Sequence, residues 1–166
     1  CLAPTFCVLG YPDQARQQLE QGLALAEEFA HPVTLAYIWG IAGWFAALHG
    51  EWQHVRERAD AALQLATEHG LPHWVAYATG LRGRALVKQG QSEEGVALLQ
   101  QSLASFHSLG GALGRVEHLL WLGDAYGQGG RVEEGLAVLA EALAIVHSTG
   151  ACSSEAELYR LKGALT

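Results

Sequence analysis

Residues Trp121–Leu143 read WLGDAYGQGGRVEEGLAVLAEAL, and the fold turns on how this stretch is read. Leu136, Leu139 and Leu143, with Val146 just beyond, keep the 3-4-3 spacing of one helical face. Gly130 marks a turn before that helix. Working outward, the same stripe returns at forty-residue steps: Val96, Leu99, Leu103 and Phe106, then Val55, Ala59, Leu63 and Ala66, then Ala15, Leu19, Leu23 and Ala26. Glu93, Glu94, Gln100 and Gln101 lie off it. Glycine keeps the same beat in three registers. One runs Gly10, Gly50, Gly90 and Gly130; a second runs Gly70, Gly110 and Gly150, with Ala30 in the remaining place; a third runs Gly43, Gly83, Gly123 and Gly163. Fixed self-similarity over about 20–50 residues signals stacked repeats rather than one enclosed core.

Each unit holds two amphipathic helices. The striped helices end at Ala30, Gly70, Gly110 and Gly150, where glycine serves as a left-handed cap and Ala30 is a weaker stop. Partner helices are expected near 33–48, 73–88, 113–128 and from 153 onward, the last capped by Ser153 or Ser154 with Glu155 and Glu157 in its first turn. Gly43, Gly83 and Gly123 fall inside these helices, at a cost of about 1 kcal/mol each relative to alanine. Recurrence at one phase implies a neighbouring helix too close for a side chain. No strands are expected.

Half of the 166 residues are apolar and 16% are charged, which excludes disorder; proline occurs four times. A net charge of −7 and scattered basic residues argue against a nucleic-acid surface. No apolar run approaches the roughly 20 residues of a membrane span, and no secretory leader is visible. Cys1, Cys7 and Cys152 share no metal-like spacing, so a reduced, cytoplasmic setting is expected. The chain contains no methionine and is read as a segment of a longer protein.

The stretch from Trp121 resembles the tetratricopeptide repeat (TPR), with Leu122, Gly123, Tyr126, Gly130, Gly135 and Ala142 in that family's characteristic places. The preceding unit supplies Gly83, Leu86, Gly90, Gly95 and Ser102; the one before supplies Trp39, Gly43, Ala46, Gly50 and Ala62. The resemblance covers nearly the whole chain as one repeat domain, 1–166. It comprises a half repeat at 1–30, repeats at 33–70, 73–110 and 113–150, and a half repeat at 153–166. Two departures stand out: a period of forty against about 34, and no closing proline, Pro32 and Pro72 lying a few residues later. Longer repeats of this kind are similar to sensor regions of bacterial signal-transduction ATPases. The closing ELYRLKGAL (Glu157–Leu165) resembles a segment in the C-terminal repeats of adenylate/guanylate cyclase-like proteins.

Eight histidines invite a metal reading. His69 and His73 are split by Gly70 and Pro72, and His49 and His54 by Gly50, so neither pair shares a helical face. His107 and His147 are repeat equivalents on a polar face. Gly127, Gly129 and Gly130 lack the strand before and the Gly-Lys-Ser/Thr after that a phosphate loop needs. No nucleophile motif occurs. The chain is therefore read as non-catalytic, without metal or cofactor.

The resemblance implies an all-α fold, a right-handed superhelix (α-solenoid) of antiparallel helix pairs, eight helices plus a short N-terminal remnant. It also implies that the first helix of each repeat lines an inner groove. By position that groove would include Tyr37, Tyr77 and Glu117, then Trp44, Arg84 and Asp124, then Leu48, Lys88 and Gln128. Trp39, Trp74 and Trp121 are expected as interhelix core and Trp52 in a turn region. For Tyr37, Trp44 and Tyr77, groove and core both stay open. Aromatics with both charge signs suit a protein or peptide partner rather than nucleic acid or membrane. The alternative is a small-molecule-sensing regulatory domain: a long channel favours peptide, a closed aromatic pocket of a few hundred Å³ favours a metabolite. Repeat ends expose apolar surface, so self-association is expected through Leu2, Phe6, Val8 and Leu9, or through Leu158, Leu161 and Leu165.

Overall fold

The computed structural model describes residues 2–110, 114–150 and 154–166. These residues are helical with no strand among them. The helices are α1 (Ala3–Val8), α2 (Pro12–Phe29), α3 (Pro32–Leu48), α4 (Trp52–Glu68), α5 (Pro72–Lys88), α6 (Ser92–Ser108), α7 (Arg115–Gln128), α8 (Val132–Thr149) and α9 (Glu155–Leu165). Proline opens α2, α3 and α5 in the first turn, where its missing N–H is no loss. Ser154 flanks α9 but makes no side-chain cap bond, and Ser153 lies outside the described residues.

Each helix packs on the next in an antiparallel succession, and α3 also meets α5, α5 meets α7 and α7 meets α9. Helices α3, α5, α7 and α9 thus form one continuous layer, the odd layer, and the even helices lie behind it, the arrangement of an all-α solenoid. The helix stops work as the sequence implies. Gly90, at φ +87°, turns α5 into α6 through backbone that L-residues avoid. Ala30, at φ +48°, is the one non-glycine among the described residues forced into the left-handed region.

The interior glycines set helix spacing. A Cβ on Gly83 would lie 2.8 Å from the Gly95 carbonyl oxygen, and one on Gly95 would lie 2.6 Å from that of Gly83. The obstacle is backbone on both sides, so α5 and α6 touch main chain to main chain. Gly43 instead admits the Leu81 side chain, and Gly123 that of Leu139. Gly163 meets nothing within 4 Å and has no such role.

The main core runs from Ala46 and Val55 through Leu81, Leu99 and Trp121 to Leu139 and Leu158. A smaller cluster, around Ala3, Ala15, Leu19, Ile38 and Phe45, joins α1 to α2 and α3. Tyr126 is buried, and its hydroxyl accepts a hydrogen bond from Gln100 Nε2 at 2.8 Å, tying one repeat to the one before. The expected sticky ends need correction. Leu158 and Leu161 are buried because the apolar stripe of α9 faces α7 and α8, and Leu165 packs over Gly127 and Gly135. Phe6 is half-buried against the smaller cluster. Leu2, Val8 and Leu9 are exposed.

Candidate functional site

The layer of odd helices bears a cavity of about 510 Å³. Helix α3 contributes Tyr37, Ile41 and Trp44, which sit at i, i+4 and i+7 and so share a face. Helix α5 contributes His73, Trp74 and Tyr77, and α7 contributes Val116 and Glu117. Pro4 and Val8 of α1 close one side, and Ile145 and Thr149 of α8 with Ser154 the other. Residues from α1 to α8 share one cavity, which requires the stack of helices to curl. By contrast, a depression of about 540 Å³ between α4, α5 and α6, from Ala66 to Leu109, has no charged or aromatic residue among its described lining residues.

The rings meet edge to face. Tyr37 and Trp74 are 5.7 Å apart at 77°, and Trp74 and Tyr77 6.0 Å apart at 70°. Tyr77 continues inward to Trp121 at 6.2 Å and to His118 at 5.4 Å. His118 is fully buried, its Nδ1 2.7 Å from the Gly114 carbonyl oxygen and its Nε2 3.3 Å from that of Tyr77. At the shorter distance Nδ1–H is the donor, the tautomer being assigned from geometry. Burial lowers the His118 pKa to about 4, the two carbonyls opposing the shift. Gly80 makes room for that ring: a Cβ there would fall 1.9 Å from His118 Cδ2.

Electrostatics are set mainly by burial. The Glu117 carboxyl is pushed above the usual range by desolvation, with Arg84 pulling the other way. Burial, and then the Glu117 charge, raises the Tyr77 hydroxyl. His73 is held toward its neutral form by desolvation. Among the described residues Glu117 accepts no hydrogen bond and makes no ion pair.

Of the residues expected to face a groove, Tyr37, Trp44, Tyr77 and Glu117 come together on the cavity. Arg84, Lys88 and Asp124 form a separate group alongside. Lys88 Nζ lies 2.7 Å from Asp124 Oδ2, and the Arg84 guanidinium sits 5.1 Å from the Trp121 ring centre and 5.5 Å from that of Trp52. Burial lowers the Arg84 pKa, chiefly offset by Asp124, and its Nε is buried with no hydrogen-bond partner. Leu48 and Gln128 are exposed and do not line the cavity.

Trp121 is core as expected, and Trp39 is half-buried with its indole Nε1 unpartnered. Trp74 is a correction: it lines the cavity. Its spacing three residues before Tyr77, with His73 four before, was the available signal. Trp52 packs partly buried beneath Arg84 and Lys88.

Among the described residues no helix is long and apolar enough to cross a membrane, and no group of three or more His, Cys, Asp or Glu side chains is placed to hold a metal ion. Cys7 is free; Cys1 and Cys152 lie outside the described residues.

No family model matches the sequence, and no curated protein is significantly similar to it. Solved structures do match in shape. BtubC (BKLC) from P. vanneervenii superposes with a TM-score of 0.71 at 20% identity, covering 99% of this chain and 68% of that one. A Podospora anserina protein described as a kinesin light chain with nearly identical TPR-like repeats superposes with a TM-score of 0.62 at 21% identity, covering 99% and 91%. At this level of identity the likeness establishes the fold: the chain is an all-α solenoid of TPR-like repeats.

Proposed function

We propose that this chain is a non-catalytic scaffold that binds a protein or peptide partner on the layer of odd helices. The observation that carries the reading is the cavity of about 510 Å³ on that layer, where Tyr37, Trp44, Tyr77 and Glu117 from three successive repeats converge. Interface energy concentrates in aromatic anchors set in desolvated pockets, and this face presents both. The test is selection from a displayed random-peptide library. Selected peptides should lose about tenfold or more in affinity on Tyr37→Ala or Trp44→Ala, typical of hot-spot truncation. They should keep it on Gln64→Ala, an exposed α4 position. Selected peptides indifferent to both cavity substitutions would refute the assignment.

A second reading is favoured by the cavity's size, which falls within the range of small-molecule sites. In that case the chain is a ligand-sensing regulatory domain, and a metabolite should bind the chain with no peptide present. Either way we read residues 1–166 as one repeat domain of a larger bacterial signalling protein acting in the cytoplasm. The resemblance of Glu157–Leu165 to cyclase-like repeat regions supports that context. Self-association through the apolar N-terminal surface is a further part of the reading.

A further inference from the structure

The cavity's chemistry is more particular than an apolar cleft. Tyr37, Trp74 and Tyr77 stand nearly perpendicular in succession, at 77° and 70°, and Trp44 lines the same space. Perpendicular rings form corners rather than a flat stack, and electron-rich walls around a corner attract cations. Among the described lining residues Glu117 is the only acidic or basic side chain apart from His73, which burial holds toward its neutral form.

No cation of the chain reaches ion-pair distance of Glu117 among the described residues, although Arg84 acts on it through space. Arg84 lies over Trp52 and Trp121, and Lys88 is paired with Asp124. Glu117 is left partly desolvated, with no hydrogen-bond or ion-pair partner among the described residues. A purely apolar occupant would desolvate that carboxylate further, whereas a cation would compensate it. The net charge of −7 also favours approach by a cation.

We propose that this cavity takes an alkylated ammonium group, carried on a lysine-type side chain of the partner, with the rings of Tyr37, Trp44, Trp74 and Tyr77 around it and Glu117 as its counter-charge. The choice of a peptide-borne group rests on the scaffold reading; the choice of a cation rests on the cavity alone.

Calorimetric titration of the whole chain tests it with two short glycine-flanked peptides, one carrying trimethyl-lysine and the other norleucine. Free choline and its uncharged isostere 3,3-dimethylbutan-1-ol form a second pair. The trimethyl-lysine peptide should bind at least about tenfold more tightly than the norleucine peptide, and choline more tightly than the alcohol, as cation–π attraction plus a counter-charge implies. Glu117→Gln and Trp74→Leu should each remove about tenfold of that preference.

Glu117→Gln relieves a carboxylate disfavoured by its surroundings, so its unfolding midpoint should not fall, and lost preference cannot then be lost folding. Equal binding of the charged and neutral members of both pairs, or no binding by any, would overturn the cation assignment. Free choline binding more tightly than the peptide would overturn the assignment to a side chain. Library peptides that still require Tyr37 would keep the scaffold reading intact under either failure.

Discussion

His118 shows how much one buried side chain can weigh on the whole. Its unfolded pKa is near 6.5 and its folded pKa about 4, so between those values the unfolded chain binds a proton that the folded chain refuses. Stability is therefore full above about pH 6.5 and falls as the pH drops toward 4. At about 1.4 kcal/mol per pKa unit, the loss from this histidine reaches about 3 kcal/mol. His73, also lowered by burial, acts in the same direction. Glu117 acts against them, since its raised folded pKa lets the native state take up a proton first. Urea titrations at pH 7 and pH 4.5 should give a markedly lower midpoint at the acid value in wild type and a smaller difference in His118→Leu. Equal wild-type midpoints at the two values would refute the account of this residue. Gly80 belongs to the same scale: Gly80→Ala drives a methyl into the imidazole and should cost about 1–3 kcal/mol, read as a lowered denaturation midpoint.

Helices in this chain are positioned by where side chains are missing. Gly83→Ala and Gly95→Ala each push a methyl against the opposite backbone, which cannot swing aside, and each should cost about 1–3 kcal/mol or more in chemical denaturation. Gly163→Ala, in the same forty-residue register as Gly83 but in open space, should be neutral or stabilise by up to about 1 kcal/mol. Ala30→Gly should stabilise by about 0.5–1 kcal/mol, because it relieves a left-handed alanine at the end of α2. The contrast between Gly83 and Gly163 also marks how far the sequence could be read. Period, helix ends and the close approach of α5 and α6 were legible because at most of its recurring places glycine answers a demand of backbone geometry or contact. Gly163 kept the phase without the contact, which depends on what lies opposite. Leu158 and Leu161 read as exposed because an apolar stripe looks the same whether or not a preceding helix covers it. Trp74 read as core because burial between helices and lining a cavity favour the same aromatic. Aligning repeats picks one residue per unit, whereas a helical face also holds the neighbours three and four places away, and there Trp74, His73 and Ile41 were missed. Arg84 and Lys88 read as free groove charges because their partners Trp52, Trp121 and Asp124 lie on other helices.

As a whole, the molecule is a curled double layer, tied across helices by bonds such as Ser102 Oγ–H to the Ala76 carbonyl oxygen, and it has two unequal surfaces. The outer layer is studded with short-range charge pairs such as Arg131–Glu134. The inner layer carries the aromatic cavity. Leu2, Val8, Leu9 and Tyr11 leave apolar area exposed around α1, so multi-angle light scattering should show mass rising with concentration, and Leu9→Lys should suppress the rise. A strict monomer at every concentration would contradict self-association through that end. The central claim is that the inner layer is the binding surface, and amide and side-chain NMR with a library-selected peptide tests it most directly. The expected result is chemical-shift change concentrated on α3, α5 and α7 around Tyr37, Trp44, Trp74, Tyr77 and Glu117. Change concentrated instead on the exposed positions of α4, α6 and α8, such as Glu57, Gln101 and Glu141, would contradict it.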